Sequence, residues 1–296
     1  MNQQLGMMQM LKSFAAIAGS VLMLATGVAQ AQTSAPATPP GTQPAPAGPP
    51  AADPASEAPK HPLGITFTAT MTAVSDYSYR GISQTQRIPA FQPGITIETG
   101  QFSDQLPISA YVGAWASNVN FPGTNAWGEL DAIAGFRAKL LNDKLTFDLG
   151  YIRYNYMGVV QASQLPFNEF GFVAAYDFDF AQLSGAIRYS PNFFGNSGNA
   201  WYKWGQLTVP LPFIKINDQI SFKLFGTLGN QYVERYANYG IPNDNYWDWQ
   251  AGAMASIYGF DLSVAYVSTN LSYTDCTNTA NCAGRAVVTL GKTFSF

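Results

Sequence analysis

Charge is scarce in this chain, and histidine and cysteine are nearly missing. Asp, Glu, Lys and Arg make up 11% of its 296 residues, while Phe, Trp and Tyr reach 14%. Soluble domains usually carry about twice that share of charge. Polarity is supplied instead by Gly, Ser, Thr, Asn and Gln, a balance that suits a wall with one apolar and one wet face, as in a transmembrane β-barrel. The only histidine, His61, lies in a proline-rich stretch. Its position excludes histidine-dependent catalysis and histidine-containing metal sites from the rest of the chain. No nucleophile can be paired with a base, so no catalytic residue, metal or cofactor is expected and the chain is not read as an enzyme. A net charge of −3 offers no basic surface for nucleic acid, and no Gly-rich nucleotide loop stands between a strand and a helix.

Long apolar runs are also lacking. None of about eighteen residues occurs beyond residue 63, so a membrane helix is excluded there and any insertion must use strands. Ahead of that point, residues 1–31 read as a cleaved export signal. Lys12 marks its charged region, Phe14 to Ala25 its apolar core, and Ala29-Gln30-Ala31 its cleavage site. An uncleaved anchor is the alternative, but the core is short of the ~20 residues a spanning helix needs. Residues 32–62 hold ten of the nineteen prolines and eight alanines, a composition that cannot bury a core. This stretch reads as a disordered periplasmic tail, either a plain spacer or a contact for peptidoglycan or a periplasmic partner.

Residues 63–296 alternate apolar and polar side chains in segments of about ten, the length a tilted strand needs to cross the hydrocarbon layer. Leu145, Phe147, Leu149 and Tyr151, for example, are interleaved with Lys144, Thr146, Asp148 and Gly150. Twelve segments follow, near 65–76, 90–99, 107–117, 127–140, 144–155, 168–179, 181–191, 200–211, 218–230, 246–258, 260–272 and 285–296. The count is even and the connections alternate short and long, as in an all-β, up-and-down antiparallel transmembrane barrel of the bacterial outer membrane. Tyr151, Tyr154, Tyr189, Trp201, Trp204, Trp247 and Trp249 fall at the long-loop ends and read as an interfacial girdle. Phe178, Phe260, Phe294 and Phe296 fall at the opposite ends. In the third segment the facing is open, since both Tyr111-Trp115 and Val112-Ala114 suit lipid.

The stretch Val74-Ser75-Asp76-Tyr77-Ser78-Tyr79-Arg80-Gly81-Ile82-Ser83-Gln84-Thr85 resembles the opening signature of the TorF-like porin family, outer-membrane proteins of largely unknown function. Tyr111 to Val119, Glu129-Leu130-Asp131 with Gly135, Gly150-Tyr151 with Tyr154 and Tyr156, and Asn168-Glu169-Phe170 follow in the family's order. The resemblance implies a passive channel for small hydrophilic solutes and names no solute. The rival reading is a non-conducting structural, receptor or adhesion barrel. The terminal segment Val288 to Phe296 resembles the strand signal read by the barrel assembly machinery. That machinery, outer-membrane lipid with lipopolysaccharide, and small solutes are the expected partners.

Selectivity would reside in the lumen. The polar faces offer Glu98, Glu129, Asp131, Asp148, Glu169, Asp177, Asp248 and Asp261, with Asp179 beside them, against Arg137, Lys139, Arg188, Lys203, Lys223 and Arg285. Such charges either pair across strands and fill the barrel or bias it mildly toward cations. Asp76, Tyr77, Tyr79 and Arg80 are candidates for the pore mouth: Arg80 either reaches inward to Asp76 or a solute carboxylate, or the tyrosines belong to the girdle and Gly81 only turns the chain. Cys276 and Cys282, both in the last long loop of an exported chain, are expected to form a disulfide rather than remain free or bind metal.

Overall fold

A computed structural model describes residues 64–296, apart from 104, 105, 122, 160–163 and 215. The expected signal (1–31) and tail (32–62) lie outside the described residues.

Strict alternation converts directly into wall. Twelve antiparallel strands close on themselves: β1 (Thr66–Val74), β4 (Ala90–Glu98), β5 (Ile108–Asn118), β6 (Gly128–Leu140), β7 (Leu145–Met157), β8 (Phe167–Asp177), β9 (Gln182–Ser190), β10 (Ala200–Pro210), β11 (Ile220–Val233), β12 (Asn245–Ile257), β13 (Phe260–Thr269) and β14 (Arg285–Ser295). Each pairs with its sequence neighbours, and β1 closes the ring against β14 through Thr68↔Ser295 to Val74↔Thr289. Closure leaves no unpaired sheet edge, which a lipid environment requires. Strand ends agree with the alternating segments to within three residues, and the architecture is a closed antiparallel β-barrel of twelve strands.

Side-chain parity fixes the two faces. Val112, Leu130, Phe136, Leu149, Phe172, Leu207, Leu228 and Val264 are exposed on the outer wall. The third segment resolves with Tyr111 and Trp115 inward and Val112 outward. Tyr154 is not part of the girdle: it is fully buried in the lumen on the face of Asp148 and Ile152. Trp204 likewise shares the inward parity of Tyr202 and Gln206. Lys203 is the reverse case, exposed on the outer wall with Trp201 and Leu207 and so not pore-lining. Lys292 also points outward, but its ammonium bends to the Tyr258 carbonyl (3.4 Å) over the Phe260 ring, a snorkelling geometry.

The two ends differ. Tight turns such as Leu141-Asn142-Asp143 and Tyr258-Gly259, all with positive φ, close one end. At the other end the connections are longer and their described residues pack inward, carrying a two-stranded hairpin, β2 (Ser78–Tyr79) and β3 (Ile82–Ser83), and a single helical turn, α1 (Tyr236–Tyr239). Cys276 and Cys282 are joined by a disulfide in the last of these loops.

Candidate functional site

The first long loop builds the site. Tyr79 pairs with Ile82 across Arg80 and Gly81, whose φ values are 50° and 80°. Two consecutive positive-φ residues make a type I′ turn, the tightest connection two twisted strands accept. Asp76 braces the hairpin from its base, accepting from Ser83 Oγ (2.5 Å) and Thr85 Oγ1 (2.8 Å). The Gln84 N–H donates to the Tyr77 carbonyl at 2.7 Å.

The folded hairpin does not lie over the rim; it enters the barrel. Glycine is required at its tip, because a Cβ on Gly81 would stand 2.3 Å from Thr269 Cγ2 of β13 and 2.9 Å from Asp248 Cβ of β12. Arg80 is 2% exposed and donates to Glu169 of β8 (2.5 Å) and to Gln231 of β11. Its guanidinium lies 4.2 Å from the ring centre of Tyr202 and 4.5 Å from that of Tyr79, with Phe193 beyond. Glu169 is further held by the Tyr154 hydroxyl at 3.0 Å. Tyr77 donates to Glu129 at 3.2 Å and meets Trp115 edge-on. Burial first, and then the carboxylates of Glu129 and Asp131, push the Tyr77 phenol well above its ordinary range, so it remains a neutral donor.

Arg285 locks the hairpin's base. It donates to Asp76 and to the carbonyls of Gly81 (3.0 Å), Asn281 and Ala283. Arg80 and Asp76 therefore have separate partners, and the Arg80–Asp76 pair considered from sequence is replaced by Arg80–Glu169 and Arg285–Asp76. The girdle alternative for Tyr77 and Tyr79 is also overturned, since both are buried in the lumen. An aromatic roof covers the plug, with Phe121, Tyr156, Phe193, Phe194 and Tyr239 meeting at 5.1–6.2 Å. Glu234 ties two of the roof loops together by accepting from the Asn199 N–H (2.8 Å) and side-chain amide (2.6 Å). Those bonds hold its carboxyl below the ordinary value.

Below the plug the expected lining residues form separate groups. Arg137 bridges Glu98 (2.5 Å) and Asp148 (3.2 Å), while Ser109 donates to Glu98 and Tyr111 to Asp148. Asp248 accepts from Tyr202 (3.1 Å), and Asp261 accepts from Ser256 (2.6 Å), with Lys223 in electrostatic range. Asp177 caps the β8–β9 turn by accepting from the Asp179 N–H, and Lys144 reaches Asp179 outside the lumen. Glu129 and Asp131 are 1% exposed, and Asp131 keeps one buried oxygen without a partner. Arg188 is 5% exposed, and its Nη1 has no hydrogen-bond partner.

The sequence reading missed Gln231, Tyr202, Phe193 and Trp115. Parity holds the signal for Gln231, which shares the inward face of Lys223, whereas Tyr202 is next to the outward Lys203 and Trp115 lies in the segment whose facing the sequence leaves open. Nothing in the local sequence marks Phe193, which is delivered by a loop.

Solved structures similar to the chain share its barrel and little sequence. LpxR from Salmonella typhimurium is 8% identical, with 77% of this chain and 99% of that one covered and a TM-score of 0.43. The NanC porin is 12% identical over 75% of this chain and 97% of its own, with a TM-score of 0.44. An outer-membrane channel from Pseudomonas putida F1 is 8% identical over 80% and 97%, with a TM-score of 0.42. No curated protein sequence matches. A family profile does, over residues 58–294, and the chain belongs to that family, Gcw_chp, bacterial proteins of unknown function.

Proposed function

We propose that this protein is a porin-type channel of the bacterial outer membrane, exported by a cleaved signal, whose long-loop mouth is closed by the Asp76–Thr85 plug. The observation that carries it is that a sector of the inner wall below the plug stays polar and accessible. On β1, β4 and β9 the inner wall is polar and partly exposed, with Thr68, Thr70, Thr72, Thr96 and Ser184 along it, while Phe225, Met254, Ala265, Val267 and Val287 on β11 to β14 form a buried apolar cluster. A wall meant only to be filled would be packed along its length, as in the smallest barrels. Obstruction comes from a loop held by a few polar anchors rather than from wall side chains.

The resemblance to TorF-like porins supports the same reading, and small hydrophilic solutes suit a bore of twelve strands. Acidic residues outnumber basic ones on the luminal face, which favours a mild cation preference. With no histidine in the barrel, catalysis is not proposed.

The non-conducting alternative rests on the depth of the plug, where both members of the Arg80–Glu169 pair are 2% exposed. Planar-bilayer recording separates the two readings. Wild type should give small or rare steps, and a variant with Ser78–Ser83 replaced by two glycines should give frequent larger ones. Silence from both folded proteins would leave the structural barrel as the answer.

A further inference from the structure

The lumen holds one guanidinium that the fold leaves unused. Arg137, Arg80 and Arg285 each have carboxylate partners, whereas Arg188 makes no ion pair or hydrogen bond among the described residues although it is 95% buried. Asp148 is within electrostatic range of it but is already engaged by Arg137 and Tyr111. A buried charge without a partner costs several kcal/mol in general, so the position calls for an occupant.

The wall beside Arg188 carries no side chain of its own. Arg188 pairs laterally with Gly171, Gly171 with Gly150, Gly150 with Gly135, and Gly135 with Tyr111. All three glycines stand at inward positions, so a side-chain-free strip crosses three adjacent strands. Its ends are occupied from opposite sides. The Tyr111 ring lies over Gly135, where a Cβ would meet its hydroxyl at 2.5 Å, and the Arg188 stem lies over Gly171 with Nη1 3.8 Å from such a Cβ. Ile133 and Ile152 flank the strip on the side of the plug.

We propose that Arg188 and the Gly135–Gly150–Gly171 strip form a luminal binding site for a small carboxylate. The carboxylate would accept from Nη1 of Arg188, and its short apolar part would lie on the glycine strip toward Ile133 and Ile152. Of the surrounding acids, Glu169 is held by Arg80 and Glu98 and Asp148 share Arg137, while Asp131, inward beside Ile133, keeps one oxygen without a partner and disfavours any anion placed near it.

The test uses the full chain folded in detergent and freed of carboxylate buffers, titrated with 13C-labelled acetate and followed by line broadening. Wild type is expected to bind saturably. Arg188→Gln should weaken binding about tenfold or more, the weight of a charge-assisted hydrogen bond. Gly171→Val, which pushes a branched side chain against the Arg188 stem, should weaken it as well. The outward Arg153→Gln should bind as wild type does. Folding of each variant is checked by heat-modifiable migration, and should Arg188→Gln fail to fold, Gly171→Val decides. Saturable binding that is unchanged in Arg188→Gln or Gly171→Val, or no saturable binding by folded wild type, overturns the site. The outcome is separate from channel function: acetate binding without conductance removes the channel and keeps the site, and conductance without acetate binding does the reverse.

Discussion

Removing Arg80 should free the hairpin while leaving the barrel intact. Arg80 and Glu169 are each 2% exposed, so Arg80→Ala strands a carboxylate in a dry setting with only Tyr154 and no cation to answer it. Breaking one side of a buried pair typically costs about 3–5 kcal/mol, and the Tyr154 hydroxyl argues for the lower end. Because the twelve-strand ladder closes without the hairpin, the loss falls on local opening. At about 3 kcal/mol, amide exchange within residues 77–85 should rise about 150-fold, with no change on the strands. Hydrogen exchange of folded protein, resolved on peptides covering Tyr77 to Thr85, measures this. The double variant Arg80→Met with Glu169→Leu removes both charges and should return exchange to within about tenfold of wild type, since replacing a buried pair by apolar groups is often near neutral. The reasoning fails if Arg80→Ala leaves hairpin exchange unchanged, or if the double variant is worse than Arg80→Ala alone.

Gly81→Val should prevent the tip from seating, through both its φ of 80° and its approach to Thr269 and Asp248, and give the same fast exchange; normal protection would contradict the docking contact. Reducing Cys276–Cys282 opens a short loop worth about 2 kcal/mol by chain entropy and should speed proteolysis of residues 270–284 without lowering the barrel's melting temperature. The Glu234 carboxyl is held below its unfolded value, so its stabilisation is present above that unfolded value and disappears as pH falls through the folded one. Glu234→Gln should therefore loosen the Asn199 contact at neutral pH and make no difference in acid, read from exchange at the Asn199 amide. Lys203 faces outward, so Lys203→Leu should leave ion selectivity unchanged and raise barrel stability by up to about 1 kcal/mol if it lies near the interface. A shifted reversal potential would return Lys203 to the lumen.

The strands were legible because their signal is local: a period of two survives any tertiary context that keeps one face in lipid. The errors came where inward and outward rules compete. Residue type places Tyr154 and Trp204 at the interface, yet their even numbering groups them with Asp148 and Gln206; parity outranks propensity once register is set. Lys203 failed by the same rule in reverse. Inward Ile152 and Ile133 conceal the lumen, since a wall facing a seated plug becomes core rather than wet surface. The hairpin was half visible. Arg80-Gly81 announces a turn, but nothing near it states that the turn ends inside the barrel, because Glu169 and Gln231 are contributed by distant strands.

That distance bears on how the molecule assembles. The hairpin is made early in the chain, yet its anchors lie 89, 151 and 209 residues further on, at Glu169, Gln231 and Arg285. Contacts so remote in sequence form late, after the loop-closure entropy of the intervening chain has been spent. Arg285 begins the strand that seals the ring against β1, so Asp76 meets its partner only when closure is under way. Until then the nascent cylinder is unstoppered, and the seated plug marks a barrel that has finished closing.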